Sequence, residues 1–440
     1  MYRRCIFPVL LLLTALIFGG CAMATVQDMY HPPKRSKNYA QLQSAMDEAM
    51  EGFGYCAPLA GENRQAVQQA DLTGDGVNEY LLFVRGDSQM PLRILIFSYD
   101  GNAYRLYSTI ESHGASFEQV EYAQMDGKPG LELLVGRQVS DQVPKSVSVY
   151  SYSGGDIVQL MSTNYHKFLT CDLDSDSRRE LLVISAGETD EDHGWAALYS
   201  DPGSGIERSA EAVLSCQVTA IKRIMVNRLH GGNPAVYVAG AVGENAIITD
   251  VFALKDGQFT NISLSNEQGT SVQTLRDNYI YADDIDADGI LELPGLISMQ
   301  PVTDGQEMER QYLIRWFSMD LNGGEVDKLY SFHNYQRGWF LELDGDWAKR
   351  VSVEQSGSAY TFYVWDEAGL EAQQILSIYV LTGVNREEEA LANNRFVLYR
   401  SEGVVFAARL EAASAAYGIT QETFINSFHL IHQDWKTGET

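Results

Sequence analysis

The chain has 440 residues, 45% of them hydrophobic and 11% aromatic, which is enough to bury a sizeable core and too long for one ordinary domain. Its formal net charge of -27 excludes nucleic acid and an anionic membrane surface as direct partners, because both need Lys and Arg to neutralise phosphate. The same charge suits cation binding and a soluble surface outside the cell.

The first element is a targeting segment. Residues 1–20 pair a positive "MYRR" with the apolar run "IFPVLLLLTALIF", which is too short to span a bilayer comfortably. "FGGC" then ends at Cys21 and resembles the lipobox of bacterial lipoproteins, in which the cysteine is lipidated and becomes the new N-terminus. "AMA" at 22–24 offers a second possibility, an ordinary secretory cleavage that discards Cys21. Both readings export the protein. The lipobox reading also places it outside the cytoplasm, anchored to the bacterial cell membrane through an N-terminal lipid. Residues 21–37, with "HPPKRSKNY" at their core, read as a tether. Beyond Cys21 the cysteines are Cys56, Cys171 and Cys216, an odd number that implies no disulfide framework.

A domain follows over 38–333. It begins with a helix in "YAQLQSAMDEAMEGF", where Leu42, Met46 and Met50 recur at i, i+4, i+8. Five hairpins come next, at "LRILIFSYDGNAYRLYSTI", "SVSVYSYSGGDIVQL", "AALYSDPGSGIERS", "ITDVFALKDGQFTNI" and "YLIRWFSMDLNGGEVDKLYSF". Alternating apolar residues around Asp-Gly or Gly-Gly are the hairpin signal.

Each hairpin is preceded by a loop that runs into a short apolar strand. Three loops are acidic: "DLTGDGVNE" at 71–79, "DLDSDSRRE" at 172–180 and "DIDADGILE" at 284–292. Two are degenerate, in "AQMDGKPGLELLVG" and "NRLHGGNPAVYVAG". The loops recur roughly every 50 to 55 residues. A period of that size built from short strands means blades or another β array, because one unit cannot cover its own apolar face. The expected fold is therefore mainly β: a β-propeller-like array of about five four-stranded repeats.

The acidic loops carry the candidate site. A tight loop of this spacing presents side chains at positions 1, 3 and 5, a backbone carbonyl at 7 and a carboxylate at 9, and Ca²⁺ takes six to eight such hard oxygens. The three ligand sets are Asp71, Thr73, Asp75, the Val77 carbonyl and Glu79; Asp172, Asp174, Asp176, the Arg178 carbonyl and Glu180; and Asp284, Asp286, Asp288, the Ile290 carbonyl and Glu292. Carboxylates ~4 Å apart repel by about 1 kcal/mol per pair in water, a cost a divalent cation reverses. The bland alternative is a solvated acidic turn, since Asp and Gly favour turns for their own reasons. The "DxDxDGxxE" form followed by an apolar strand resembles the FG-GAP/VCBS repeats of integrin α-subunit propellers and many bacterial surface proteins. That resemblance spans about 65–330 and implies a Ca²⁺-binding propeller; two loops lack the acids and no regular Gly-Ala-Pro cage is present.

From about 334 to 440 the register is lost. "GWFLELDGDW" reads as two strands around a turn, because Arg350 stands where the ninth-position carboxylate belongs. "RVSVEQSGSAYTFYVW" and "RFVLYRSEGVVFAARL" read as hairpins, "QQILSIYVL" as a strand, "REEEALA" as a short helix and "TQETFINSFHLIHQDW" as a helix capped by Thr420. Strands followed by helices suggest a small α+β domain. Trp339, Trp347, Trp365 and Trp435 are assigned to its core.

No HExxH, GxSxG, GxGxxG or phosphate-cradling loop is present, and His429 and His432 lack further ligands at zinc spacing. The expectation is a lipid-anchored binding or scaffold protein whose ligand is a protein or a glycan, with no catalytic residues assigned. The alternative is a polysaccharide-active enzyme using carboxylates in a propeller channel, which would need two facing, pKa-perturbed carboxylates in a deep cleft.

Overall fold

A computed structural model describes residues 37–140, 142–187, 193–277, 280–302, 311–343 and 345–431. The expected signal peptide, Cys21, nearly all of the tether, His432 and Trp435 lie outside the described residues. The chain is mainly β, built from antiparallel sheets of four or five strands that follow one another in sequence. Its described residues divide into two compact units: those within 37–57, 65–71 and 76–113, and those within 58–64, 72–75 and 114–431.

The first unit holds α1 (Lys37–Ala49) and sheet I, made of β1 (Gly54–Tyr55), β2 (Val67–Ala70), β3 (Glu79–Arg85), β4 (Leu92–Tyr99) and β5 (Tyr104–Ser112). The helical spacing read from the sequence is the one that packs. Leu42 and Met46 are buried against Leu82, Val84, Leu95 and Phe97, and Met50 covers the rim of that cluster.

The second unit contains five sheets. Sheet II comprises β6 (Ser116–Ala123), β7 (Glu132–Gln138), β8 (Lys145–Ser153) and β9 (Asp156–Tyr165). Sheet III comprises β10 (Lys167–Cys171), β11 (Glu180–Ser185), β12 (Trp195–Ser200) and β13 (Glu207–Val213). Sheet IV comprises β14 (Ile221–Arg228), β15 (Pro234–Val242), β16 (Ala246–Lys255) and β17 (Gln258–Asn261). Sheet V runs β18 (Leu293–Ser298), β19 (Tyr312–Met319), β20 (Glu325–Asn334) and β21 (Trp339–Leu343), and β27 (Phe428–Leu430) then adds to β21. Sheet VI orders β22 (Val351–Ser356), β23 (Ala359–Trp365), β24 (Ala372–Thr382), β26 (Val404–Leu410) and β25 (Phe396–Ser401).

Successive sheets share their cores. Leu134 and Val149 of sheet II meet Leu181 and Val183 of sheet III, while Leu182 and Ile184 of the same strand β11 meet Val236 and Val238 of sheet IV. A strand covered on both faces needs apolar residues at every position, which is why "ELLVIS" is a continuous run and does not alternate. Tyr237 and Val251 of sheet IV pack on Leu293 and Phe317 of sheet V, and Phe332 and Trp339 of sheet V pack on Phe362 and Ile378 of sheet VI.

All five expected hairpins form, as β4–β5, β8–β9, β12–β13, β16–β17 and β19–β20. In the β16–β17 turn Asp256 and Gly257 both have positive φ, 52° and 75°. That is the signature of the two-residue turn whose twist matches the flanking strands.

The C-terminal segment departs from expectation in three places. The boundary at 333/334 falls inside β20, and one hydrophobic cluster joins the sheets on either side of it. "GWFLELDGDW" gives one strand, β21, and a 3-10 turn over Asp346–Arg350, where two strands were expected. The closing helix is short: α3 (Gln421–Asn426) starts on the expected Thr420 cap, with a capping box to Thr423, but stops after six residues. The chain then pairs with β21, because Phe428 gains more by stacking on Trp339 than another helical turn would gain in solvent. The expected helix α2 (Arg386–Leu391) and the hairpins β22–β23 and β25–β26 are present. Cys56, Cys171 and Cys216 are free thiols.

Candidate metal loops

The nine-residue loop joins β2 to β3 in sheet I, β6 to β7 in sheet II and β10 to β11 in sheet III, and its ninth residue opens the second strand of each pair. In sheet V the leading strand shrinks to one bridge, Asp283 to Glu292. The three acidic loops share one backbone. Positions 4 and 6 are left-handed in each: Gly74 and Gly76, Ser175 and Ser177, Ala287 and Gly289. Ser175, Ser177 and Ala287 adopt this region despite their Cβ, so the surrounding bonds over-determine it.

Those bonds repeat as well. The position-1 carboxylate accepts the position-6 N–H in all three: Asp71 from Gly76 at 2.9 Å, Asp172 from Ser177 at 3.1 Å, Asp284 from Gly289 at 2.9 Å. In the second and third loops position 3 accepts from position 5, as Asp174 from Asp176 and Asp286 from Asp288. Position 5 there accepts from position 7, as Asp176 from Arg178 and Asp288 from Ile290. The ninth-position glutamate closes each loop by accepting the position-2 N–H, Glu180 from Leu173 at 2.8 Å and Glu292 from Ile285 at 3.2 Å.

Two groups of carboxylates converge among the described residues. Asp172, Asp174, Asp176 and Glu180 form one, and Asp284, Asp286 and Glu292 the other, each with one oxygen per residue lying within 4.8 Å of the rest. No histidine or cysteine joins either group. The other expected ligands lie outside these groups. Asp71, Asp75 and Glu79 are in neither group, and Thr73 stands at position 3 of their loop. Asp288 is outside the third group because the Lys328 ammonium, from β20, draws it away. Arg178 and Ile290, which with Val77 are expected to offer carbonyls, donate their N–H to the position-5 carboxylate, a bond that does not engage the carbonyl.

The electrostatics of both groups are those of crowded, partly buried acids. Burial, then the Asp174 and Asp172 carboxylates, push Glu180 up to about 7. Burial and Asp286 do the same to Glu292, also to about 7, against the opposing pull of Lys328. Asp176 and Asp288 are held low, chiefly by hydrogen bonds from Arg178 and Lys328. One oxygen in each group, Asp172 Oδ1 and Glu292 Oε1, is buried without a hydrogen-bond partner, although the Lys328 ammonium faces Glu292 Oε1 at 3.9 Å and Asp286 Oδ2 at 3.5 Å. Such an atom is costly unless something positive faces it. A set of hard oxygens with orphaned members fits Ca²⁺ or a similar divalent cation.

One residue of this family of loops escaped the sequence reading. Counting from Gln124 as position 1, Glu132 is the ninth residue of a loop taken as degenerate. It is buried at the start of β7 and accepts the Met125 N–H at 2.7 Å, the same closure as in the acidic loops. Asp126 keeps position 3, but position 5 is Lys128, whose ammonium sits 2.7 Å from Asp126. This loop carries its own cation on a side chain. The missing acid at position 1 hid the spacing, and the Glu at position 9 was the signal that could have found it.

Glu132 also gives a pH test. Burial raises its pKa above the ordinary carboxylate value, so the fold favours the protonated form. The stability it contributes is therefore present in acid and lost as pH rises through the folded pKa. Glu132→Gln keeps a neutral acceptor for Met125. The variant should match the wild type near pH ~4.5 and exceed it near pH ~8. Unfolding midpoints across that range check this, and parallel profiles would contradict it.

Among the described residues of the second unit, one cleft of about 690 Å³ is lined by residues 283–285 and 287, by Phe340, Glu342 and residues 428–430, and by Tyr399. A second of about 520 Å³ holds Glu121, raised by burial and bonded to Thr170, with Arg179 and the exposed Glu62 also on its lining. A third of about 340 Å³ runs along Lys349, Arg350, Asp366 and Glu367.

No family model and no curated protein matches the chain. Among solved structures it is similar to the crystal structure of exotype rhamnogalacturonan lyase YesX, at 11% identity and a TM-score of 0.28, over 74% of this chain and 65% of that one.

Proposed function

We propose that this chain is an extracytoplasmic, lipid-anchored binding or scaffold protein whose successive sheets are blades of a propeller-like array. In this reading Asp172, Asp174, Asp176 and Glu180, and Asp284, Asp286 and Glu292, each hold a structural Ca²⁺, and the ligand is a protein or a glycan. The observation that carries the metal reading is the identical donor–acceptor ladder of the two loops, each leaving one buried carboxylate oxygen without a partner. In the degenerate loop Lys128 supplies a positive charge, and in the third loop Lys328 reaches Asp286, Asp288 and Glu292, the place a bound cation would take. A bound cation would offset the burial and the neighbouring negative charge that raise Glu180 and Glu292, and would pin the loop that leads into the second strand. The catalytic alternative has weaker support, because the lining of the 520 Å³ cleft pairs one half-buried carboxylate, Glu121, with a guanidinium and only an exposed second acid.

Calorimetric titration of Ca²⁺ into chelator-treated protein tests the reading. We expect two sites, one lost in Asp174→Asn and the other in Asp286→Asn, each substitution removing a ligand charge and weakening its site about tenfold or more. No heat of binding, or heat untouched by both substitutions, would refute it. The anchor is carried by the sequence alone: Cys21→Ser should release the protein from the membrane fraction, and a variant that stays there would defeat the lipid reading.

A further inference from the structure

The 690 Å³ cleft is large enough for a polyatomic ligand, and its lining has a one-sided character. Asp283, Asp284 and Glu342 contribute three carboxylates, and neither Lys nor Arg lines it. The single basic group is His429, on β27, whose Nε2 lies 3.0 Å from Glu342 Oε1. Only that one oxygen of Glu342 meets the imidazole. The His429 ring is stacked on Phe340 at 4.9 Å with the planes 24° apart, which fixes it and keeps Glu342 on β21 beside it. Across the cleft Tyr399, on the edge strand β25, leaves 44% of its surface exposed.

Each class of ligand meets this lining differently. A carboxylate or phosphate would be repelled by the three acids. A neutral sugar could donate its hydroxyls to these acceptors and stack on a ring, but it would leave the charge of the three acids unmatched. A bare metal ion has no use for an aromatic ring and would leave most of the volume empty. A nitrogen cation uses every feature: N–H groups for the carboxylates and a positive charge for the tyrosine face. The chain's net charge of -27 would also concentrate cations near it.

We infer that this cleft binds an organic cation bearing an ammonium or guanidinium group, with Glu342 as its principal acceptor and Tyr399 as its aromatic wall. The inference goes beyond the calcium reading and does not need it, although Asp284 belongs to both.

The test titrates the full chain with spermidine and with argininamide, and with maltotriose as a neutral probe, at low salt, once with saturating Ca²⁺ and once with chelator. One spermidine or argininamide site is expected in the Ca²⁺ buffer. Glu342→Gln and Tyr399→Ala should each weaken it about tenfold or more. Glu388→Gln, the same charge change on the exposed helix α2, should leave it unaltered. If Tyr399→Ala fails to fold, Glu342→Gln decides. The inference falls if neither cation binds, if binding survives Glu342→Gln, or if maltotriose binds and is the probe lost in these variants. Cation binding in a protein that shows no Ca²⁺ binding would leave this inference standing and remove only the calcium reading.

Discussion

Trp339→Ala is expected to lower the unfolding free energy by about 3–5 kcal/mol, the range for deleting a large buried aromatic. Trp339 is fully buried in β21, where the cores of sheets V and VI meet. It stacks on Phe428 at 5.8 Å, meets Tyr360 edge-on at 5.3 Å, and lies 5.6 Å from Phe332. Those partners come from β27, β23 and β20, so the indole ties four strands of two sheets together. Removing it leaves a cavity that rigid β-sheets cannot collapse into. The indole N–H has no hydrogen-bond partner, so part of its burial is already penalised. Trp339→Phe keeps most of the packing and removes that orphan donor, and should lose less than half as much. Chemical denaturation monitored by circular dichroism measures both. A loss under ~1 kcal/mol in the alanine variant would mean that the two sheets do not share this core.

Asp250→Ala should be comparably damaging, by about 3–5 kcal/mol, for a different reason. Asp250 lies on β16 with no exposed surface. Its carboxylate accepts from the Ser215 N–H at 2.7 Å and hydroxyl at 2.6 Å, from Asn261 Nδ2 at 2.8 Å and from the Ser271 hydroxyl at 2.6 Å. The Ser215 donors lie between β13 and β14, on the connection from sheet III to sheet IV, so this one side chain fixes that crossover. Alanine would strand four buried donors, each worth ~1–3 kcal/mol when unsatisfied, with partial relief from neighbouring acceptors. Asp250→Asn retains one acceptor oxygen and should fall between wild type and alanine. A flat response to both substitutions in equilibrium unfolding would show that the network is not what holds the crossover.

The two cases mark what local sequence could and could not reveal. The hairpins were legible because Asp256-Gly257 and its counterparts carry their turn geometry in adjacent residues. The acidic loops were legible because their donors and acceptors all lie within nine positions, so spacing alone specifies the ladder from Asp172 to Glu180. The apolar runs of β11 and β15 identified strands but did not say that both faces are covered; that needs the neighbouring sheets. Asp250 read as one acid among 59, since its partners Ser215 and Ser271 are 35 and 21 residues away. Lys328 is 40 residues from Asp288, so its capture of a fifth-position carboxylate could not be read from the loop. The C-terminal helix was overextended because "NSFHLI" satisfies helical spacing as well as it satisfies an edge strand. The vacant edge of β21, a tertiary feature, settled the choice.

The claim on which the functional account rests is that the loops at 172–180 and 284–292 are cation sites that brace the folded chain. Thermal unfolding in Ca²⁺ and in chelator tests it most directly. Binding to the folded form alone stabilises by about 2.7 kcal/mol per site when Ca²⁺ is 100-fold above its dissociation constant. The midpoint should therefore rise by several degrees in Ca²⁺, less in Asp174→Asn or Asp286→Asn, and least in the double variant. Superimposable unfolding curves for the wild type in Ca²⁺ and in chelator would contradict the account.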